Sequence, residues 1–349
     1  MKSRFIITVA AAAVLSVALV IAGCGSSDEP VRTSVVDEMI DSLSSAVSKN
    51  INEAALPSTT PMEARADLGP VKLINEVAGL KLVGGKLYGV FDGGVAAYDI
   101  ENKTYTVIPS KEKLRAVEAH DGKVYVGGDN LYTVKDSVLE RVDGEFGVIT
   151  SLYSYGYRLM IGTETGLHAT GIFGNELVFE DVPVSAIAAD ETGLWVGTSG
   201  EGLYRWDGEE FHKRFLRRDT SLFDYVNTLA FNHNHLYMGT DNGFHIFDGG
   251  SWKTLTSTND LPSDKVTSVD ASGWVVYVGT DCGVVSYFDG EIIPVDKLGE
   301  VPVNALAVDG RKVFAATDHE GILMKSGNVV KTIVPSDNGM NFDVLSLVE

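Results

Sequence analysis

From about Val71 onward the apolar positions fall in one fixed figure. An apolar residue opens, a second follows three positions later, and a third stands ten after the first. The figure occurs seven times: Val77/Leu80/Leu87, Leu114/Val117/Val124, Ile149/Leu152/Leu159, Val184/Ile187/Leu194, Val226/Leu229/Leu236, Val266/Val269/Val276 and Val303/Leu306/Val313. A spacing that admits no insertion predicts a strand, a tight turn and a second strand. Asp190-Glu191-Thr192-Gly193, Ala271-Ser272-Gly273 and Asp309-Gly310 supply hairpin chemistry at the turn. After each third position comes a variant of Gly-Thr-Asp-x-Gly, in the copies Leu87–Gly94, Val124–Leu131, Leu159–Gly166, Leu194–Gly202, Leu236–Gly243, Val276–Gly283 and Val313–Gly321. A third apolar run follows (Leu203–Trp206, Phe244–Phe247, Val284–Phe288), and a fourth after Asp-Gly (Phe211–Phe215, Trp252–Leu255, Glu291–Val295). Copies start about 35 to 42 residues apart, a period that belongs to repeat architectures. Four short antiparallel strands per repeat, arranged radially, predict an all-β, seven-bladed β-propeller over 71–349. Length varies only in the links between repeats, where surface loops tolerate it. Val344 and Leu347 begin an eighth figure that does not continue; the sequence leaves open whether the segment Val344–Val348 closes the first blade, in which case Val71–Ile74 serves as an outer strand nearby.

The first 70 residues read differently. Lys2 and Arg4 precede the apolar stretch Phe5–Ile21, and the small-residue site Ala22-Gly23-Cys24 follows. This predicts a signal peptide over 1–23, with an ordinary secretory signal or a membrane anchor as the alternatives. The order Ile-Ala-Gly-Cys resembles the lipobox of bacterial lipoproteins. That resemblance implies cleavage before Cys24, lipidation of Cys24, and anchoring by several acyl chains. Because Gly25 rather than aspartate follows, it implies outer-membrane placement, facing the periplasm or the cell surface, where the host has two membranes. A tether spans 24–33. Val36, Ile40, Leu43, Val47 and Ala54 then make one apolar face of an amphipathic helix over 34–56, capped by Ser34 with Asp37. That helix either packs and spaces the neighbouring domain or pairs with another copy as a short coiled coil. Pro57, Ser58, Thr59, Thr60 and Pro61 open a linker over 57–70.

The formal net charge is −20, and loss of Lys2 and Arg4 with the leader deepens it by two. A surface so acidic disfavours nucleic acid and anionic headgroups as partners. The two cysteines are Cys24 and Cys282. With Cys24 committed to lipid, no internal disulfide is expected, and Cys282 reads as a small residue tolerated in a turn rather than as a reactive thiol.

Leu194-Trp195-Val196-Gly197-Thr198 with Gly202-Leu203-Tyr204-Arg205-Trp206-Asp207-Gly208 resembles the two-component-regulator propeller repeat, and so does Asp260-Leu261-Pro262-Ser263-Asp264-Lys265-Val266. The resemblance is strongest in the fourth to sixth repeats. In that family such blades form the extracytoplasmic sensor part of membrane kinases. No membrane span or kinase follows the blades before Glu349, so signalling by covalent linkage to a kinase is not expected.

In a four-strand meander the second-to-third-strand turns and the interblade links share one end of the ring. Six repeats place an acid in that turn: Asp92, Asp129, Glu164, Asp241, Asp281 and Asp318; the fourth has Ser199, with Glu201 close by. One reading is a carboxylate ring that holds a hard cation such as Ca²⁺ or a cationic partner. The other is structural, each aspartate bonding its own turn amides beside a glycine at positive φ. The symmetry breaks in the link after the fourth repeat, which carries His212, Lys213, Arg214, Arg217 and Arg218, with Phe223 and Tyr225. Arginine captures carboxylate bidentately, so this link is a candidate ligand or partner face. His233-x-His235 is a weak metal signal and reads as an exposed turn. Trp195, Trp206, Trp252 and Trp274 read as blade-packing residues. No nucleophile–base constellation stands out. The expected function is a non-catalytic binding or scaffold module of the bacterial envelope, with an envelope protein or small ligand as partner. The alternative is a metal-dependent propeller hydrolase or lyase with its site at the central channel. The candidate inner strands Val184–Ala188 and Val303–Ala307 offer that alternative mainly apolar and small residues.

Overall fold

The computed structural model describes residues 76–171, 174–214 and 225–336. The chain divides into one unit, Met1–Val71, and a second, Lys72–Glu349; every described residue belongs to the second. The expected leader, tether, helix and linker, and the segment Val344–Val348, lie outside the described residues.

Seven antiparallel sheets follow one another along the chain, each a meander in sequence order. Their inner strands are Val77–Val83, Ala116–His120, Ile149–Tyr155, Val184–Asp190, Val226–Asn232, Val266–Ser272 and Ala305–Asp309. Each inner strand packs against the next, and the seventh packs against the first. The chain is therefore a seven-bladed β-propeller. Blade 4 shows the unit: Val184–Asp190, Gly193–Thr198, Leu203–Trp206 and Phe211–Arg214. Blade 1 reaches the same shape with three strands. In its middle strand, Lys86–Asp99, the first half pairs with Val77–Val83 and the second half with Thr104–Lys113, so one long strand bent at Asp92-Gly93 fills both middle positions. Thr104–Lys113 takes the outer place, and Val71–Ile74 lies outside the described residues.

The ten-residue spacing has a simple cause. Every inner strand joins its second strand through a two-residue turn, and at Gly84-Gly85, Asp121-Gly122 and His233-Asn234 both residues have positive φ. That is the primed turn whose twist matches an antiparallel pair. The first residue of each figure is deeply buried, between 0 and 1% exposed at Val77, Leu114, Ile149, Val184, Val226, Val266 and Val303. Each opening residue from Ile149 to Val303 faces a glycine of the preceding blade. A Cβ at Gly197 would lie 2.4 Å from Val226 Cγ1, and Gly127, Gly162, Gly239 and Gly279 stand in the same relation to Ile149, Val184, Val266 and Val303. The glycine before the threonine is thus an interblade contact. Ala316 takes its place in blade 7, where Val77, Phe91 and Tyr98 join Ala305, Phe314 and Ile322 in the cluster that closes the ring.

A second device ties the blades near the axis. In blades 3 to 6 the pairing of the inner strand shifts by one just after the opening residue, leaving Thr150, Ser185, Asn227 and Thr267 as bulges. A bulge re-aims its side chain. The Thr150 hydroxyl donates to Val184 O, Ser185 to Val226 O at 2.5 Å, Asn227 Nδ2 to Val266 O at 3.0 Å, and Thr267 to Val303 O at 2.6 Å. Each bulged side chain therefore satisfies an edge carbonyl that the next blade's own ladder leaves open.

Candidate functional site

The Gly-Thr-Asp-x-Gly turns gather, as expected, on the end of the ring that also carries the links, here termed the link face. Their internal bonding differs from the sequence reading. The threonine, not the acid, closes the turn. Thr280 Oγ1 donates to Gly283 O at 2.9 Å and accepts the amides of Cys282 and Gly283 at 3.2 and 3.0 Å. Thr163, Thr198, Thr240 and Thr317 repeat this pattern, each donating to the carbonyl of the turn's last glycine and accepting a turn amide. All five are buried. The last glycine fits under the outer strand: a Cβ at Gly321, whose φ is +78°, would lie 2.1 Å from Val334 O.

The acids are left on the outside. Asp92, Asp129, Glu164, Asp241 and Asp281 are exposed, and Asp318 and Glu201 are half-buried. Arg115 reaches Asp129 at 3.3 Å, Asn227 donates to Asp241 at 2.8 Å, Asn304 to Asp318 at 2.5 Å, and Tyr204 to Glu201 at 2.9 Å. Burial and the Glu201 contact push the Tyr204 hydroxyl up to about 12. Asp92, Glu164 and Asp281 make no side-chain hydrogen bond among the described residues. The amide-capping role belongs instead to the Asp-Gly turns at the opposite end. Asp207 accepts the amides of Glu209 and Glu210, and Asp248 those of Gly250 and Ser251; each is held at about 2, by the amides first and then by His212 or Ser251. Among the described residues no three His, Cys, Asp or Glu side chains form a group able to hold a metal ion.

Of the basic link, Arg214 and Tyr225 are described and both are exposed, Tyr225 by 57%. Ser199 bridges to Tyr225, so the link returns to the ring beside the fourth turn. Arg217, Arg218 and Phe223 lie outside the described residues. His212 turns away from this group to bond Asp207 at 2.9 Å.

The link face also holds a feature with no repeat signal. A recess of about 350 Å³ opens under blade 3, lined by Glu145, Phe146, Thr165, His168, Glu180 and Asp181 among others. Phe146 is 5% exposed and meets the His168 ring edge-on, centroids 5.6 Å apart. Burial lowers the His168 pKa.

One side chain departs from the sequence reading. Trp274 is 70% exposed rather than packed between blades, because it sits in a two-residue hairpin turn. It stacks on His233 of the neighbouring blade, centroids 3.8 Å apart; His233 and His235 are otherwise the polar turn expected. Cys282 fills the variable slot of its turn, where its amide donates to Thr280 Oγ1 at 3.2 Å.

Similarity to solved structures lies in the fold. The extracellular domain of the hybrid two component system BT3049 from B. thetaiotaomicron matches with a TM-score of 0.60 at 15% identity, covering 72% of this chain and 39% of that one. The corresponding domain of BT4673 matches at 0.55 and 18% identity, covering 66% and 34%. This chain therefore spans little more than a third of either domain. The WD40 β-propeller domain of Doa1 matches at 0.59 and 14% identity, covering 73% of this chain and 94% of that one. No family model matches the chain, and comparison with curated proteins finds no match.

Proposed function

We propose that the protein is an exported, lipid-anchored propeller that works as a non-catalytic binding module of the cell envelope, capturing its partner on the link face. The observation that carries this reading is the division of labour in the turns. The threonines hold the backbone, so the exposed carboxylates of Asp92, Glu164 and Asp281 are not needed by the turns and stand available to a cationic group. The acidic recess under blade 3 opens on the same face, and the exposed Arg214 and Tyr225 at the two ends of the basic link suit an acidic partner. Two of the structural neighbours are extracellular domains, which agrees with export of this chain. Kinship with the two-component-regulator propellers is part of the same proposal. The metal-dependent hydrolase or lyase reading, Ca²⁺ included, needs several ligands converging on one ion, and no observation among the described residues favours it.

Affinity capture from envelope extract, with the lipidated protein as bait, tests the face. Two variant baits are run beside it: the triple alanine replacement of Arg214, Arg217 and Arg218, and the set Asp92→Asn, Glu164→Gln and Asp281→Asn. Loss of a partner by either set is expected. Unchanged capture by both removes the link face as the site. Mass measurement of the mature N-terminus tests the anchor. Lipid on the Cys24 sulfur leaves a titratable Cys282 thiol in the membrane fraction, whereas a Cys24–Cys282 bridge there overturns the lipid reading.

A further inference from the structure

His168 and His245 hold the same register position, two residues after the last glycine of the turn, in blades 3 and 5. Their surroundings differ. His245 is fully buried, with the hydroxyls of Thr240 and Thr254 each 3.0 Å from a ring nitrogen. His168 is half-buried, and neither of its ring nitrogens has a hydrogen-bond partner among the described residues. Blades 6 and 7 fill the position with the buried Val285 and Leu323, so the fold itself does not call for an imidazole there.

His168 lines the recess under blade 3, and the walls of that recess are fixed by bonds and register. The link before blade 3 makes one wall. Asn175 Nδ2 of the outer strand Gly174–Glu180 donates to Asp143 O of this link at 3.2 Å, and the link's Phe146 is buried against the His168 ring. The outer strand makes the other wall. A bulge at Val178 sets Leu177 opposite His168 and Glu180 opposite Gly166, which has no side chain to fill the space. A Cβ at Gly166 would lie 2.3 Å from Phe179 O, so no larger residue fits there. The recess, about 350 Å³, stands at the low end of the range of about 300–1,000 Å³ for ligand pockets. It suits one long side chain better than a large free ligand.

The lining is divided by depth. Phe146 and Leu177 offer apolar surface of the kind that the aliphatic stem of a long cationic side chain covers. Glu145, Glu180 and Asp181 stand exposed around it, and none of the three makes a side-chain hydrogen bond or ion pair among the described residues. Burial holds the His168 pKa below its ordinary value, which favours the ring form with one donor and one acceptor nitrogen. Unengaged carboxylates beside an unengaged ring acceptor are complementary to a positively charged N–H donor. From this arrangement we infer that the recess receives a lysine or arginine side chain of the protein partner captured on the link face. The stem lies on Phe146 and Leu177, and the charged head donates to His168 and to the carboxylates at the rim. The inference rests on the reading of the link face as the capture face and adds the chemistry of the contact.

Calorimetric titration of the mature full chain with acetyl-Gly-Arg-Gly-amide, its lysine counterpart and its citrulline counterpart tests it. One side chain makes few contacts, so saturable binding of the arginine or the lysine peptide is expected with a Kd of about 1 mM. The citrulline peptide, which keeps the shape of arginine without its charge, is expected not to bind. The double variant Glu180→Gln, Asp181→Asn is expected to weaken binding about tenfold at low salt. Both carboxylates are exposed, and asparagine accepts the φ of +58° at position 181, so the variant keeps the fold. His168→Leu, which places there the residue type that blade 7 carries, removes the ring acceptor and is also expected to weaken binding about tenfold. Absence of saturable binding in wild type, equal binding of the arginine and citrulline peptides, or unchanged affinity in the double variant overturns the inference. Peptide binding without any partner captured by the wild-type bait overturns the reading of the link face and not the side-chain preference of the recess. Capture without peptide binding overturns the recess alone.

Discussion

At the residue scale, the threonine and the acid of each turn divide two tasks that a sequence reading assigns to one side chain. Thr280 is buried and satisfies one carbonyl and two amides, so Thr280→Val takes that acceptor from the two amides, while Gly283 O keeps the Thr280 backbone amide, and is expected to cost about 1–3 kcal/mol in chemical denaturation. Asp281→Asn next to it is expected to leave stability within about 0.5 kcal/mol, because the carboxylate touches nothing in the turn. Asp248→Ala at the opposite end should lower Tm measurably, since two amides lose their acceptor. His245 gives a pH signature. It is fully buried between the hydroxyls of Thr240 and Thr254, each 3.0 Å from a ring nitrogen, and burial lowers its pKa from 6.5 to about 4. A folded pKa below the unfolded one means the unfolded state takes up the proton first. Stability is therefore whole above pH 6.5 and lost as the pH falls towards 4, by about 3 kcal/mol in all. Denaturation curves for wild type and His245→Gln across that window should converge as the pH drops. A constant gap between them would show that His245 does not titrate as its burial implies.

At the element scale, the ten-residue figure was legible because two constraints coincide: a two-residue turn admits no insertion, and the opening residue has a fixed glycine to pack on. The glycine itself was legible only as turn chemistry. That it is an interblade contact became visible when Gly197 and Val226, 29 positions apart, were seen to meet. Gly197→Ala puts a methyl group where Val226 stands and is expected to cost about 1–3 kcal/mol through overpacking. The reciprocal Val226→Ala in the same background should recover part of that loss, measurable as coupling in a double-mutant cycle. The bulged residues were not recognised, since Thr150, Ser185, Asn227 and Thr267 share a role but no chemistry beyond a hydrogen-bond donor. Repeat alignment on the opening residue aligns all four.

At the scale of the whole molecule, the ring gives two faces with different business. The link face carries the carboxylates of Asp92, Glu164 and Asp281, which bond nothing among the described residues, together with the recess under blade 3, while on the hairpin face Asp207 and Asp248 are occupied by turn amides. An Asn227→Ala and Thr267→Val double variant, which frees the carbonyls of Val266 and Val303, is expected to raise hydrogen exchange in blades 5 to 7 more than in blade 2. Equal protection throughout would mean that the bulge contacts do not govern how the blades separate. The recess could not be read from the chain, because its lining comes from one link, one turn, two strands and the start of the next link.

By itself the sequence determined the propeller, its seven blades and the end of the ring on which each turn emerges. All of these follow from short-range periods that every repeat restates: two for a strand, ten for the hairpin, about 35 to 42 for the blade. Only the tertiary structure decided which polar groups are used and which are left over. Whether an aspartate caps its own turn depends on a threonine competing for the same amides. Whether Lys81 meets Glu118 depends on the inner strands of blades 1 and 2 packing side by side. Periodicity records what the repeats share, so it is silent about the positions where they differ until closure sets those positions side by side.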